Sequence, residues 1–370
     1  MSKYYKKHIL LAQLGSFGDC LYATSVARQI KIDEPECHLT WAVGSIYKSV
    51  LTANPDVDAV WEFPIECRND LLDKWQEFED IANQRKNAGE FDEVYFTQVF
   101  PNNIKNFDGT LRSSIFRGYS RPITTSVSPI IQLLPTEIEN VANFIRQQEI
   151  AADTKLILFE CAAHSGQSFV TPQFALDVAN ALIQQMPNVR IIMSSITNDL
   201  SQSDKRIIDG SVLSFRENAE LTKYCVLVVG CSSGISWLCT SEWVKPLPMI
   251  QLLKKSTLTY ASMVHDHEYF GLPTAHILEM TDCSVSHVVN CIEAVILNGI
   301  DVAKINYHEK ITPNPYSYLA GFLIEFPKKR YKEAFIALCF SVKRYGIYKI
   351  FGAFFILLTR ISMRFLKQLF

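Results

Sequence analysis

Residues 10–30 read LLAQLGSFGDCLYATSVARQI, an apolar run that passes into Gly15-Ser16-Phe17-Gly18-Asp19 and then into a helical pattern. Apolar residues without alternation suit a strand covered on both faces and predict one over 8–13. The helix predicted over 19–32, amphipathic in pattern, begins at an aspartate, a residue type that caps helix starts well. Glycine lets the chain turn sharply and lets a ligand approach the backbone, while unpaired N–H groups at a helix start favour anions. The stretch therefore reads as a ligand-binding turn at the carboxyl end of a strand. It has neither the three glycines of G-x-G-x-x-G nor the Gly-Lys-Ser/Thr of a P-loop, so both familiar nucleotide motifs are absent. Local chemistry leaves Asp19 two roles, helix cap or reactive carboxylate.

Outward from this turn, apolar runs of strand length alternate with helical periodicity, the pattern of βαβ units. Strands are predicted at 38–43, 59–63 and 93–97, with helices at 46–53 and 69–87. Residues 101–128 lose periodicity and read as a long irregular connection, the kind that often carries function. Thr136 and Glu139 make a capping-box pattern for the next helix. A second series then follows, with strands at 155–160, 190–195, near Val212, 226–230 and 248–253 and helices at 172–185, 217–224 and 284–297. Strand 226–230 runs into another small-residue turn, Gly230-Cys231-Ser232-Ser233-Gly234. Its serines and helix N–H groups suit a phosphate, or simply cap the helix. The fold class predicted is α/β, two Rossmann-like domains at 1–150 and 151–312 facing a central cleft, since open sheets bind ligands at such strand ends. Residues 313–370 form a helical basic tail.

The chain has 370 residues, enough for two separate cores, and 48% hydrophobic against 20% charged residues marks it as folded throughout. Its net charge of -2 conceals an asymmetry: residues 325–370 hold ten Lys/Arg and two Glu, a net +8, leaving -10 on the rest. Ten scattered cysteines without a CxxC pair read as reduced core thiols of a cytoplasmic protein. The N-terminus lacks the apolar run of a secretory signal. His265-Asp266-His267-Glu268 resembles a metal cluster but, in a strand or loop, needs a further ligand from elsewhere, and no metal site is assigned.

At Ser16-Phe17-Gly18-Asp19 the chain resembles the lipopolysaccharide heptosyltransferase family of glycosyltransferases, which shows an apolar strand followed by Ser-x-Gly-Asp. Pro35, HLTWAV at 38–43, NPDVDAVWEFP at 54–64 and the turn at 230–238 support the likeness, which spans residues 7–300 in organisation and the first sixty in detail. The resemblance implies the two-domain GT-B fold and an inverting, metal-independent transfer of a sugar from a nucleotide-sugar donor to a glycan or glycolipid acceptor, with no cofactor. It implies Asp19 as the general base, a carboxylate within reach of the acceptor hydroxyl. The family's second turn, Asp-Ser/Thr-Gly-x-x-His, holds the donor. Here Ser233 and Gly234 match, while Ser232 and Trp237 replace the Asp and His. A lysine that the family places near the start of the second domain is missing between Phe159 and Pro172, where His164, Ser165 and Gly166 stand as candidate phosphate contacts. Together with Gly230, these make the donor set. Ser16, Phe17, Gly18, Arg112, Arg117 and Arg121 make the acceptor set, the arginines suited to acidic sugars or phosphate.

The tail interleaves cations with Phe, Tyr, Ile and Leu. Between Lys349 and Arg360 only ten uncharged residues remain, about 15 Å of helix against a hydrocarbon core of about 30 Å, too short to cross a bilayer. Helices lying in the interface of an anionic membrane satisfy the same residues, giving a cytoplasmic protein peripherally attached to the inner face of the cell membrane. A tail packed back on the first domain is the alternative. The long apolar runs do not suit nucleic acid. Rival readings are an inactive nucleotide- or sugar-binding partner and a sugar-nucleotide epimerase of the same architecture.

Overall fold

A computed structural model describes residues 6–369, apart from 152, 163–165, 195–199, 201, 202, 282 and 283. The first half forms a parallel sheet of β1 (Lys7–Ala12), β2 (Cys37–Gly44), β3 (Ala59–Phe63) and β4 (Glu93–Phe96) in the order β3-β2-β1-β4. The second half forms a six-stranded parallel sheet of β5 (Lys155–Glu160), β6 (Val189–Ser194), β7 (Ile207–Asp209), β8 (Leu227–Gly230), β9 (Met249–Leu252) and β10 (Ile277–Met280), in the order β10-β9-β8-β5-β6-β7. Each order reverses once, at β1 in the first sheet and between β5 and β8 in the second. Crevices at the carboxyl ends of such strands are where open α/β sheets take ligands. This is a two-domain α/β architecture of the GT-B type.

Among the helices are α1 (Phe17–Asp33), α2 (Trp75–Asn87), α3 (Leu111–Arg117), α4 (Pro135–Gln147), α5 (Pro172–Gln185), α6 (Glu217–Leu221), α7 (Gly234–Leu238), α8 (Met263–Phe270), α9 (Val285–Asn298), α10 (Ile300–Tyr307), α11 (Tyr331–Tyr345) and α12 (Ile347–Leu369). Burial of Ile9, Leu10, Leu11 and Ala12 explains the uninterrupted apolar run of β1, which has covered faces on both sides. Helix α1 is buried on most of its surface, from Cys20 to Ile30, because α7 and α3 cover the side that the sheet leaves open. That corrects the amphipathic reading. Across the two halves, Phe17 stacks on Phe215 at 4.3 Å, Tyr22 meets Trp237 edge-on at 4.9 Å, and Arg28 clasps Glu242 at 2.6 Å.

Several local expectations shift. Residues 45–51 form a 3-10 helix, the 69–87 pattern breaks at Lys74 into Asp70–Asp73 and α2, and the irregular 101–128 stretch contains α3. Helix α4 starts at Pro135, with Glu137 rather than Glu139 accepting the Leu134 N–H at 2.7 Å. The strand expected near Val212 lies earlier, at β7, where Ile207 and Ile208 pair with β6, while Val212 is 70% exposed. His265–Glu268 sit on α8, not in a strand or loop. Seven of the nine described cysteines are buried, and none of the nine is in a disulfide.

The tail packs back on the first half along one side. Arg344 of α11 donates to Ser113 Oγ at 2.6 Å and lies 3.7 Å from Asp108, which Arg117 reaches at 2.6 Å. Phe340 covers the Arg117 guanidinium at 4.3 Å. Gly321 is a glycine by necessity, since a Cβ there would meet the Phe107 carbonyl and Ala337. Tyr345, Ile350, Ala353 and Leu357 close a small core with Leu319. Among the described residues no helix is long and apolar enough to cross a membrane. Asp108 is fully buried between two guanidinium groups, and removing it leaves them without their carboxylate. Asp108→Ala should therefore lower unfolding free energy by about 3–5 kcal/mol, read from urea denaturation.

Candidate functional site

The N-termini of α1 and α7 approach each other at glycines. A Cβ on Gly18 would lie 3.7 Å from Trp237 and 3.9 Å from the Gly234 Cα, and one on Gly234 would lie 3.2 Å from both Phe17 and Phe215. Beside this contact a cavity of about 330 Å³ opens between the two sheets, lined by Ser16, Asp19, Tyr22, Arg68, Arg112, Gln167, Ser232, Trp237, His265 and Asp266 among others. That volume suits a small-molecule ligand. The structure thus brings both sequence-predicted turns to one space.

Asp19 projects from the first turn of α1. Its carboxyl accepts the Ser16 N–H at 3.4 Å, so it caps the helix as well as facing the cavity. Burial pushes it up to about 7, against the pull of that N–H and of Arg68. The turn before it is held from below: Gln98 Oε1 accepts the Gly15 N–H at 3.0 Å, and Gln13 Nε2 donates to the Gly15 carbonyl at 2.6 Å.

The second turn is held more firmly still. Glu160, at the end of β5 and 2% exposed, accepts from Ser233 Oγ at 2.6 Å and the Ile235 N–H at 2.9 Å with one oxygen. Its other oxygen accepts from Ser236 Oγ at 2.5 Å and the Cys231 N–H at 3.1 Å. The Ser232 hydroxyl donates to the Ala261 carbonyl at 2.7 Å, and its N–H to Gln251 at 2.7 Å. Both serine hydroxyls read as phosphate donors are therefore directed into the protein, as are the Cys231, Ser232 and Ile235 N–H groups, and Ser232 is the residue of the turn that lines the cavity, while Ser233 and Gly234 do not. Gly230 lies beneath, where a Cβ would strike Ser236 Oγ.

The remaining candidates separate. Ser16 lines the cavity, whereas Phe17 packs between the halves against Phe215 and Tyr47. Arg112, 1% exposed, enters the cavity with Nε 3.2 Å from Asp266 Oδ2 and its guanidinium among Tyr22, Trp237 and Phe270. Its Nη2 has no hydrogen-bond partner among the described residues. Arg117 is engaged with Asp108 and the tail, and Arg121 pairs with Glu34 and Glu93 at 3.2 and 3.6 Å on the outer side of the first domain. Neither lines the cavity, which corrects their grouping with Arg112. Gly166 is exposed with φ 73° and stands off the cavity wall, where Gln167 takes part instead. His164 and Ser165 lie outside the described residues.

Sequence reasoning missed Arg68, Glu160, His265 and Asp266 as site residues. Glu160 left a trace, a lone acid ending the apolar run KLILFE. Arg68 in its loop left none. Burial holds His265 down to about 4, so it is neutral near pH 7, and pushes the Asp266 carboxyl above the usual range despite Arg112.

Two stability effects follow. Glu160→Gln turns one acceptor oxygen into a donor facing two other donors, and should cost about 1–3 kcal/mol by thermal or urea unfolding. Asp19 binds its proton more tightly folded, near 7, than unfolded, near 3.8, so its contribution to stability is present at acid pH and is lost as pH rises through that interval. Asp19→Asn should remove this loss, so that its melting temperature relative to the unsubstituted chain climbs between pH 4 and pH 7 and then levels.

No family model and no curated protein sequence matches the chain. Solved structures share its fold. A glycosyl transferase family 9 protein from Veillonella parvula DSM 2008 aligns with a TM-score of 0.55 at 14% identity, over 81% of this chain and 94% of that one. The ADP-heptose lps heptosyltransferase II of E. coli aligns with a TM-score of 0.50 at 13% identity, over 79% and 99%. The chain has the GT-B fold of these transferases, as its glycine turn at residues 15–19 led us to expect.

Proposed function

We propose that the chain is an inverting, metal-independent glycosyltransferase that moves a sugar from a nucleotide-sugar donor to a hydroxyl of a glycan or lipid-linked acceptor, in bacterial surface polysaccharide or lipopolysaccharide synthesis. The observation that carries this reading is the shared cavity, with Asp19 on the first domain's wall and Ser232 and Trp237, from the second turn and the helix after it, on the second's. Residues 1–150 take the acceptor and residues 151–312 the donor. The names of the two fold relatives support the class of reaction.

In the proposed step, an Asp19 carboxylate oxygen takes the proton of the acceptor hydroxyl as that oxygen attacks the anomeric carbon. The bond from carbon to the nucleotide's phosphate oxygen breaks from the opposite face, and the diphosphate leaves with the electron pair. A base of pKa near 7 is matched to this task at neutral pH. Charge on the leaving group is met by the Arg68 and Arg112 guanidinium groups, whose residues line the same cavity.

One observation favours a second reading, a nucleotide- or sugar-binding protein without turnover: the serine hydroxyls are already committed inside the protein, Ser233 to Glu160 and Ser232 to Ala261. Nucleotide release from a panel of nucleotide sugars, with candidate acceptors present, separates the two. Release under the first reading should rise with pH and level off above about 7, as Asp19 ionises. Asp19→Ala should cut turnover at least a thousandfold while leaving nucleotide-induced thermal stabilisation in place. Turnover retained by Asp19→Ala would remove it from the mechanism, and no release from any donor would favour the second reading.

A further inference from the structure

Helix α12 is sided in a way the cores do not use. Ile350, Ala353 and Leu357 point into the protein, while Tyr348, Phe351, Phe355 and Leu358 are 90%, 66%, 69% and 62% exposed. At 100° per residue those four fall within an arc of about 80°, one continuous apolar stripe some 15 Å long. By the same count the exposed Lys349 and Arg360 stand about 100° and 120° round the helix from Tyr348, on one flank of the stripe. Helix α11 exposes Tyr331 and Phe335 together with Lys332 and Lys343. No acidic residue follows Glu333 in the chain.

We propose that this outward side of α11 and α12 docks on an anionic lipid surface, with the Tyr348, Phe351, Phe355 and Leu358 stripe entering the headgroup region and the cations meeting lipid phosphate. A second copy of the chain is a poor occupant, because joining two stripes brings together two tails of net +8. The side of α12 opposite the stripe is built into the core around Leu319, so what docks meets one side only. A plane needs one side. Partly buried aromatic stripes flanked by Lys and Arg are what interfacial helices present.

The surface lies close to the cavity. On the inner side of α11, Tyr345 packs 6.4 Å from the ring of His265, which lines the cavity. If the transferase reading holds, docking there keeps the enzyme at the surface that carries a lipid-linked acceptor. The docking itself does not depend on that reading.

The test is flotation of the full chain with neutral phosphatidylcholine vesicles and with vesicles containing 30 mol% phosphatidylglycerol, without donor or acceptor. Binding should require the anionic lipid and weaken with salt. Phe351→Ser with Phe355→Ser, and separately Lys349→Glu with Arg360→Glu, should each weaken binding at least tenfold without lowering the melting temperature, since all four side chains are exposed. Amide exchange across 347–358 should slow on anionic vesicles for the unsubstituted chain. The proposal is overturned if the chain ignores anionic vesicles, or if both double variants bind as the parent does. It is equally overturned if the stripe proves to mediate self-association, seen as a concentration-dependent dimer that the serine variant abolishes.

Discussion

The whole arrangement depends on two helix starts touching without side chains between them. At Gly18 and Gly234 the backbones of α1 and α7 come close enough that the nearest atoms to a Cβ on either belong to the other turn or to the rings sealing it. Phe17 on Phe215 and Tyr22 on Trp237 fill the space around the contact. Because α1 leaves β1 and α7 leaves β8, fixing their starts against each other fixes the carboxyl ends of the two sheets against each other. The cavity and its facing turns follow from that one approach.

Holding backbone so near the centre of a protein requires partners for its N–H and carbonyl groups, and this fold supplies them from the strand ends. Gln13 and Gln98 hold the Gly15 turn, Glu160 and Gln251 hold the Ser232 turn, and Glu279 at the end of β10 accepts from Ser262 and Val264 at the start of α8. Burial pushes Glu279 up to about 7, the cost of placing an acid where its work is to accept. Glu160, Gln251 and Glu279 stand in strands and Gln13 and Gln98 just beyond strand ends, so the loops they grip are tied to the two sheets.

The fold was legible because its signals are local. An apolar run without alternation, a glycine turn and a helix start appear within twenty residues, and strands at 59–63 and 155–160 match their sequence pattern to the residue. What was not legible is set by distance in the chain. Arg112, Arg117 and Arg121 are equivalent in sequence, yet α3 aims the first into the cavity, while Asp108 with the tail takes the second and Glu34 with Glu93 the third. Likewise the hydroxyl of Ser233 looks available to a ligand until Glu160, seventy-three residues earlier, is seen to accept from it. The tail offered both of its readings at once, and each describes one side: the inner side packs on the first domain, and the outer is the one proposed to meet lipid.

Asp19 is where the requirements of fold and of the proposed chemistry oppose each other. A carboxyl shielded enough to have a pKa near 7 is a stronger base than one in water, yet every step of shielding makes its ionised form harder to keep. The helix start offsets part of this through the Ser16 N–H, and Arg68 adds a smaller pull in the same direction. Both lower the pKa, so adding a third such partner would secure the charge and blunt the base. The same reasoning accounts for His265 beside it: held neutral by burial near Arg344, it adds no cation to the cavity that would pull Asp19 back towards an ordinary carboxylate. A site for a base near neutrality is therefore one in which each positive group has a balance of its own, as Arg112 Nε has in Asp266 at 3.2 Å.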